Sequence, residues 1–311
     1  MRKAMSLLIL VFVVTVLLSA TAHTAALKDP SKRELERIAE AAPEKPTVPP
    51  KAPRKLLVFS LVPTGYVHSS IPYGKAAIRA MAEKTGAFEV VFTDDIGIFE
   101  PVRLAAFDAV FFNNANNELF MPPDFKELSK EDQQQALDRD ARLKESLVAF
   151  IQSGKGAGMF HASLAIFREW DEYGNIIGGR FDNHPWHDKV TIRVEEPSHP
   201  LLQAFPSNEF VARDEIYQVK GPYSRETHRV LLSLDLEKSP APKVGDMHRE
   251  DKDYALAWVR PYGKGRIFYC GLGHDHDLFW NPVFVQFLLD GIQFTLGDLA
   301  ADMTPSAALN R

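Results

Sequence analysis

The sequence predicts an α/β fold in which helices cover both faces of a mostly parallel β-sheet. Residues 56–62 form an apolar run of Leu, Val and Phe, typical of a strand that is buried on both faces. Strand and helix patterns then alternate, the order that builds a doubly wound sheet with right-handed crossovers. The middle of the chain carries short strand patterns without helices between them. We therefore expect extra β structure beside a parallel core.

The first half of the domain contains helices that are recognisable from periodicity and stop signals. Small and apolar residues recur at helical spacing over residues 73–85, and Gly86 ends that helix. A second helix is predicted over 139–153, after a polar surface excursion, because Leu143, Leu147 and Phe150 share one face. The predicted strands in this half cover residues 56–62, 88–93, 107–112 and 157–160.

In the second half of the domain, the sequence predicts strands separated by turns that contain Pro and Gly. The segment Pro261-Tyr-Gly-Lys-Gly265 favours a hairpin between two of them. A final apolar helix is predicted to pack onto the sheet over residues 282–296. The predicted strands here cover residues 189–195, 209–212, 230–234, 254–260 and 265–270.

The two ends of the chain differ from this domain. Arg2 and Lys3 precede an apolar run and small residues, the order of a secretory signal, so residues 1–26 predict a signal peptide and a secreted or periplasmic location. The apolar run is shorter than the roughly 20 residues that a spanning helix needs. Residues 27–54, rich in Pro, Lys and Glu, predict an extended linker. The domain is expected over 55–299, with a disordered tail at 300–311.

Composition and motifs exclude several classes of function. The net charge is −5, and the absence of a Lys/Arg-rich block argues against a nucleic-acid partner. No Gly-rich phosphate loop is present, so no nucleotide cofactor is expected. Cys270, the single cysteine, lies within a predicted strand and is expected to be a buried, inert thiol. After signal cleavage, no membrane association is predicted.

Three predicted strands lead to a histidine. His68 lies in the loop after the first, and His161 and His274 directly follow two others. Ligands of open parallel sheets bind in the crevice beyond the carboxyl ends of the strands, so we expect these imidazoles to share one pocket. Imidazole is both a common metal ligand and the side chain that titrates nearest neutral pH. The pattern predicts a divalent metal site, zinc or similar, or a general base.

Further polar and aromatic residues are candidates for the same pocket. Glu215 follows Asp214 and suits metal ligation or base catalysis, with a solvated edge carboxylate as the alternative. Trp186 lies between two histidines in a glycine-led segment and is a candidate sugar platform, or else a cover for the sheet. The remaining candidates for substrate binding are Asn114, His184, Tyr217 and His276.

These segments together resemble the ThuA-like (trehalose utilisation) family over roughly residues 55–299. The matching segments, in order, are the His68 loop, Gly154-Lys-Gly-Ala-Gly-Met-Phe-His161, Gly178-Gly-Arg-Phe-Asp-Asn-His184, His199-Pro200, Asp214-Glu215-Ile-Tyr217, Trp258 and Gly265 to His274. The resemblance implies a flavodoxin-like, three-layer fold of the class I glutamine-amidotransferase-like superfamily. The elbow carries His161 in place of a nucleophilic Cys, which argues against amidotransferase chemistry. The first loop reads Gly65-Tyr-Val-His68, a departure from the fuller glycine-rich run of many relatives.

The resemblance implies carbohydrate catabolism, in particular cleavage of 3-keto-glycosides by β-elimination or hydrolysis. In that reading His161, Glu215 and His274 are catalytic, and they would hold a divalent metal together with His68. A small carbohydrate is the expected partner. Two alternatives stay open: a non-catalytic carbohydrate-binding module, and a sugar esterase that uses Ser163, two residues beyond His161, as nucleophile.

Overall fold

The computed structural model describes residues 27–309, and a nine-stranded sheet runs through this part of the chain. Its spatial order is β2-β1-β3-β4-β9-β8-β7-β5-β6. The strands are β1 (Lys55–Phe59), β2 (Glu89–Thr93), β3 (Ala109–Asn113), β4 (Gly156–Phe160), β5 (Arg180–Val194), β6 (Glu209–Lys220), β7 (Arg229–Leu234), β8 (Ala255–Tyr262) and β9 (Gly265–Cys270). The predicted signal peptide, residues 1–26, lies outside the described residues.

The sheet is mixed, and the prediction of a mostly parallel sheet is not confirmed. Within residues 27–309, the pairings along β2-β1-β3-β4-β9 are parallel and those along β9-β8-β7-β5-β6 are antiparallel. The segments expected as short additional strands extend the same sheet, because the β8–β9 hairpin continues the ladder of the parallel half. The longest ladder joins β5 and β6, both much longer than predicted.

Helices cover both faces of the parallel half. One apolar layer combines Leu56 and Val58 of β1 with helices α2 and α6, and the other combines Leu57 and Phe59 with α4 and α5. This alternation follows from the period of two in a strand and gives three layers. The helices are α1 (Lys32–Ala41), α2 (Ile71–Thr85), α3 (Pro101–Leu104), α4 (Lys130–Gln152), α5 (Asp171–Ile177) and α6 (Pro282–Thr295).

Helix α4 begins nine residues before the predicted start at Arg139. Ser129 caps it by accepting a hydrogen bond from the backbone N–H of Asp132, and Glu131 and Asp132 place negative charge in the first turn. The segment predicted as an irregular surface excursion therefore ends in helix. Its Gln, Glu and Arg residues are good helix formers, and the face they cover is polar because it meets solvent.

The segment 27–54 is not the extended linker that its composition predicted. Ser31 and Glu34 form a capping box at the start of α1, and Ile38 is buried against the domain. Farther along, the backbone N–H of Thr47 donates to Gln293, and Arg54 pairs with Asp298. Short helices gain most of their stability from tertiary packing, which local composition does not report.

The C-terminal tail is likewise ordered as far as residue 309. The backbone N–H of Ser306 donates to the carbonyl of His228, and the Ser306 hydroxyl accepts the N–H of Val230 on β7. The tail thus binds the main chain around β7, and the predicted disorder over 300–309 is wrong. No helix among residues 27–309 is both apolar and long enough to span a membrane.

Candidate active site

The parallel half of the sheet delivers His161 through a sharp turn at the end of β4. His161 adopts φ 46°, in the left-handed region that a non-glycine residue enters at a cost of about 1–3 kcal/mol. Asn114, at the end of β3, shares that conformation with φ 52°. Its side-chain oxygen accepts the N–H of Ala162 at 3.1 Å, and its amide donates to Ser70 and to the carbonyl of Gly273. Asn114 therefore ties three loops together around the turn.

The hydrogen bonds of His161 define which nitrogen faces the pocket. Nδ1 lies 2.9 Å from the carbonyl of Gly271, and because a carbonyl only accepts, Nδ1 carries the proton. Nε2 is buried, has no hydrogen-bond partner and lies 3.3 Å from Oε2 of Glu215. The Gly271 carbonyl, just beyond β9, thus holds Nδ1–H, and Nε2 is the nitrogen that faces Glu215.

His68, His161, Glu215 and His274 meet in one cluster, which we call the histidine cluster. Each offers one ligand atom, and these four atoms all lie within 4.8 Å of one another. The ring centroids of the three histidines are 5.1 to 5.4 Å apart. This convergence is the one expected for histidines that follow parallel strands ending at one edge of the sheet. It brings together His68 and His274, which are more than 200 positions apart in the sequence.

Glu215 comes from the antiparallel half and lies between two imidazoles. Its carboxylate is 3.3 Å from Nε2 of His161 and 3.4 Å from Nδ1 of His184. Burial raises the pKa of Glu215, but the neighbouring imidazoles of His161, His274 and His184 outweigh it and lower that pKa to about 2. Glu215 is therefore ionised throughout the ordinary pH range.

His68 is buried and electrically neutral. Burial, followed by the charges of His161 and His274, lowers the pKa of His68 to about 3. Nδ1 has no hydrogen-bond partner, and Nε2 lies 3.5 Å from the hydroxyl of Tyr217. A buried nitrogen without a hydrogen-bond partner is costly in a purely structural histidine, whereas a neutral imidazole can bind a metal through such a nitrogen.

Asp214 holds the loop that carries His274. It accepts the backbone N–H groups of Gly273, His274 and Asp275 at 2.7, 3.0 and 2.7 Å. Burial raises the pKa of Asp214 to about 6 against these donors. In the sequence, Asp214 stands out only as the neighbour of Glu215. Its position beside an ionisable residue gave no signal of this role, which depends on a loop 60 positions later in the chain.

Asp275 connects His274 to a second histidine. Its Oδ1 lies 3.1 Å from Nδ1 of His274 and 2.9 Å from Nε2 of His187, and its Oδ2 lies 3.3 Å from Nε of Arg213. Burial lowers the pKa of His274, but Asp275, Glu215 and Asp214 raise it above its ordinary value overall. Asp275 fixes the orientation of His274, as carboxylates do behind catalytic or metal-bound histidines.

Two predicted binding residues lie close to the cluster. Tyr217 is two positions after Glu215 on β6, and its ring lies 4.2 Å from that of His161. His184 on β5 faces Glu215 with 41% of its side chain exposed. Both can therefore contact a molecule held at the histidine cluster.

Trp186 and His276 occupy other positions. The prediction that Trp186 stacks on a sugar is wrong: it is 1% exposed, packs edge-on against Tyr254 and donates its indole N–H to the carbonyl of Pro240. His276 stacks on Tyr73 of α2 at 3.8 Å and contacts the hydroxyl of Ser69, which lies just before that helix. Both residues are structural in this position.

The arrangement of Ser163 disfavours esterase chemistry. Its side chain is fully buried, and its hydroxyl donates to the carbonyl of Phe112 at 2.9 Å. A serine nucleophile needs a base to accept its proton, and a backbone carbonyl does not serve as one. Cys270 is buried too, and burial raises the pKa of its thiol, which suits an inert side chain.

Three imidazoles and one carboxylate are a donor set that divalent zinc favours. Nδ1 of His68 and Nε2 of His161 are buried and have no hydrogen-bond partner among residues 27–309, so hydrogen bonding does not account for their burial. The residues of the histidine cluster therefore fit a divalent metal. Asp275 would accept the ring N–H of His274, and the Gly271 carbonyl would accept that of His161. Both hydrogen bonds would hold the imidazoles in position.

One family of known proteins matches this chain. A family model described as "Trehalose utilisation" (ThuA) matches residues 55–295, most of the chain and all nine strands. The protein belongs to the ThuA family. The matched region includes every member of the histidine cluster, while α1 precedes it. No protein with a curated description matches this sequence.

Solved structures of ThuA-like proteins share the fold at low sequence identity. A protein from Bacteroides uniformis is 18% identical with a TM-score of 0.58, covering 79% of this chain and 92% of its own. One from Parabacteroides merdae is 16% identical with a TM-score of 0.57, covering 81% and 93%. A cytoplasmic protein of Salmonella typhimurium is 11% identical with a TM-score of 0.50, covering 77% and 98%.

Proposed function

We propose that this ThuA-family protein acts in carbohydrate catabolism and cleaves 3-keto-glycosides. The observation that supports this is the histidine cluster, in which an ionised carboxylate and three imidazoles converge beyond the strand ends. Such a cluster suits a reaction that removes a proton next to a carbonyl group. The segment 1–26 further supports a secreted or periplasmic location, where glycosides are encountered.

The proposed reaction begins with proton removal from C2 of the sugar. A ketone at C3 acidifies that C–H bond. The C2 electron pair then forms a C1=C2 double bond while the C1–O bond breaks, and the departing oxygen takes up the proton removed from C2 and leaves as an alcohol. Water can then add to the unsaturated product, which completes a net hydrolysis. The reaction needs a base near C2 and a group that stabilises negative charge on the C3 oxygen.

Different residues of this chain are placed to remove the proton and to stabilise the negative charge. His184, half exposed and 3.4 Å from the carboxylate of Glu215, is placed to accept the C2 proton, and the ionised carboxylate would stabilise the imidazolium that forms. Tyr217, whose burial raises its pKa well above the ordinary value, stays protonated and can donate a hydrogen bond. His68, His161, Glu215 and His274 would hold a divalent metal, which supplies polarisation of the keto oxygen when bound.

Two measurements on the purified protein test this proposal: the turnover of a methyl 3-keto-glucoside and the amount of metal per chain. We expect cleavage by the wild type and a loss of at least about a hundredfold in kcat/KM for His161→Ala, the scale of acid–base and positioning effects. Metal per chain should fall in His161→Ala. It should persist in His248→Ala, a variant of an exposed histidine that pairs with Asp182 outside the cluster.

Different results would contradict the bound metal and the cleavage of the sugar. Full activity of a metal-free, chelator-treated protein would remove the metal and leave the proton-transfer chemistry. Binding of the keto-sugar without turnover would instead indicate a non-catalytic carbohydrate-binding module. Hydrolysis of simple sugar esters, abolished by Ser163→Ala, would point to the esterase that the buried Ser163 hydroxyl argues against.

A further inference from the structure

His276 follows His274 by two positions and joins the two loops that carry His68 and His274. Its Nε2 lies 2.9 Å from the hydroxyl of Ser69, the residue directly after His68. Ser69 and His276 are 207 positions apart in the sequence. Their contact therefore connects, over a long stretch of chain, the neighbours of two members of the histidine cluster.

Asn114 links the same two loops from inside the protein. It is fully buried, and its side-chain amide donates to the hydroxyl of Ser70 and to the carbonyl of Gly273. Two segments that are held at one point can still rotate about it, whereas a second contact removes that freedom. The contact between Ser69 and His276 is such a second point, and it lies on the outer side of the loops because Ser69 is exposed.

Tyr73 of α2 holds the imidazole of His276 in place. The two rings are stacked, with centroids 3.8 Å apart and planes 15° from parallel. Tyr73 is buried, and its hydroxyl donates to Oε1 of Glu34 on α1 at 2.9 Å. The orientation of His276 thus depends on a ring of one helix, which is itself held by a carboxylate of another.

Helix α1 precedes the region that the family model matches, yet it contacts the segment around His276 at two points. Glu34 is fixed through its second oxygen, Oε2, which accepts the backbone N–H of Ser31 at 2.7 Å in the capping box. One turn later, the guanidinium of Arg37 lies 4.1 Å from the ring centre of Trp280. Trp280 ends the 3-10 turn that His276 begins.

We infer that His276 is a positioning residue that holds the His68 and His274 loops together, and that α1 supports it through Tyr73. The inference rests on the proposed function in one respect, since the histidine cluster is taken to bind a metal. His276 acts through the two loops and is not itself a ligand. The geometry of the cluster then depends on a helix outside the region that the family model matches.

The first test removes the contact between the loops from either side. His276→Phe keeps a ring that can stack on Tyr73 but cannot bond to Ser69, and Ser69→Ala removes the same contact. Calorimetry on the metal-stripped full chain measures zinc affinity. We expect each variant to weaken it about tenfold, the lower end of the effect of residues that hold a metal ligand. The double variant should be no weaker than either single variant, because all three lose one interaction.

The second test addresses the support from α1. Tyr73→Phe keeps the ring and loses the hydrogen bond to Glu34, and we expect zinc affinity to fall about threefold. Tyr262→Phe is the matched control. It loses the same kind of hydrogen bond, to Glu172, at the end of β9 opposite to His274. A purely structural effect would lower the stability of both variants and the zinc affinity of neither.

Hydrogen exchange of the metal-free protein gives a readout that needs neither metal nor sugar. His276→Phe should speed amide exchange in residues 66–70 and 271–277, because both loops lose the contact that joins them. His248→Phe, at an exposed histidine that pairs with Asp182, should leave exchange in both segments and zinc affinity unchanged.

The outcomes separate this inference from the proposed function. If the wild type binds zinc, unchanged zinc affinity in His276→Phe, additive effects in the double variant, or equal effects in the matched controls would overturn the positioning role. If the wild type binds no zinc, the metal of the proposed function is rejected and exchange decides. Faster exchange in both segments would then keep the positioning role, and unchanged exchange would overturn it.

Discussion

The two halves of the sheet contribute to the histidine cluster in different ways. The parallel half supplies His68, His161 and His274 from loops beyond strand ends, where the backbone turns away from the sheet. The antiparallel half supplies Glu215 and Tyr217 from within β6, on one face of a continuous strand. The comparison shows that one pocket can combine loop residues, positioned by turns, with strand residues, positioned by alternation and register.

Substitutions in each half of the sheet test whether both halves are needed for the reaction. We expect Glu215→Gln to lower kcat/KM for a 3-keto-glycoside by at least about a hundredfold, as for His161→Ala, because each removes a group from the reaction centre. Gln keeps the size of Glu215 but loses its negative charge. Steady-state kinetics check the effect, and circular dichroism checks folding. An unimpaired Glu215→Gln variant would mean that the parallel half alone carries the reaction.

The link between the halves is Asp214 on β6, which holds the loop after β9. Asp214→Ala should lower the free energy of unfolding by about 3 kcal/mol, because the N–H groups of Gly273, His274 and Asp275 lose a buried acceptor. Asp214→Asn keeps one acceptor oxygen and should cost less. Urea denaturation measures both. Equal stability of wild type and Asp214→Ala would show that this loop is held by other contacts.

Asp290, on helix α6 against the parallel half, should make the stability of the protein depend on pH. Burial raises the pKa of Asp290 on α6 to about 7, although Thr47 and Gln286 donate to its carboxyl group. Between its unfolded pKa of 3.8 and about 7, the folded state keeps a proton that the unfolded state releases. Because Asp290 ionises in the unfolded state but not in the folded state, stability falls as pH rises through this window.

Asp290→Asn removes this titration with little change in shape. The stability of the variant relative to wild type should rise between pH 4 and pH 8, by as much as about 4 kcal/mol for a shift of this size. Denaturation midpoints at a series of pH values measure the difference. A constant difference across that range would show that the carboxyl group of Asp290 is not protonated at neutral pH in the folded protein.

The smallest expected effect concerns Trp186 on the antiparallel half. Trp186→Phe should lower the free energy of unfolding by about 1–2 kcal/mol, because the hydrogen bond to the Pro240 carbonyl and some packing are lost. It should leave sugar binding unchanged, since the indole is buried. Calorimetry with methyl glucoside checks this. Weaker binding in the variant would restore Trp186 as a sugar platform.

A register shift explains why His184 lies beside the histidine cluster and Trp186 does not. His184 and Trp186 are two positions apart, so regular alternation places them on the same face of β5. The β5–β6 ladder shifts register between Asn183 and Trp186. Trp186 consequently packs with Ile216 in the apolar layer, while His184 faces Glu215. A bulge of this kind depends on the partner strand and leaves no clear pattern in the local sequence.

Local patterns in the sequence were enough to predict the strands of the parallel half, the helices against them and the convergence of three histidines. These follow from local apolar periodicity and from the rule that parallel strands end at one edge. The assembled fold was needed for the antiparallel extension, the packing of residues 27–54, the anchoring role of Asp214 and the separation of Trp186 from the site. Each of these depends on contacts between segments far apart in the chain, whose energies no local pattern contains.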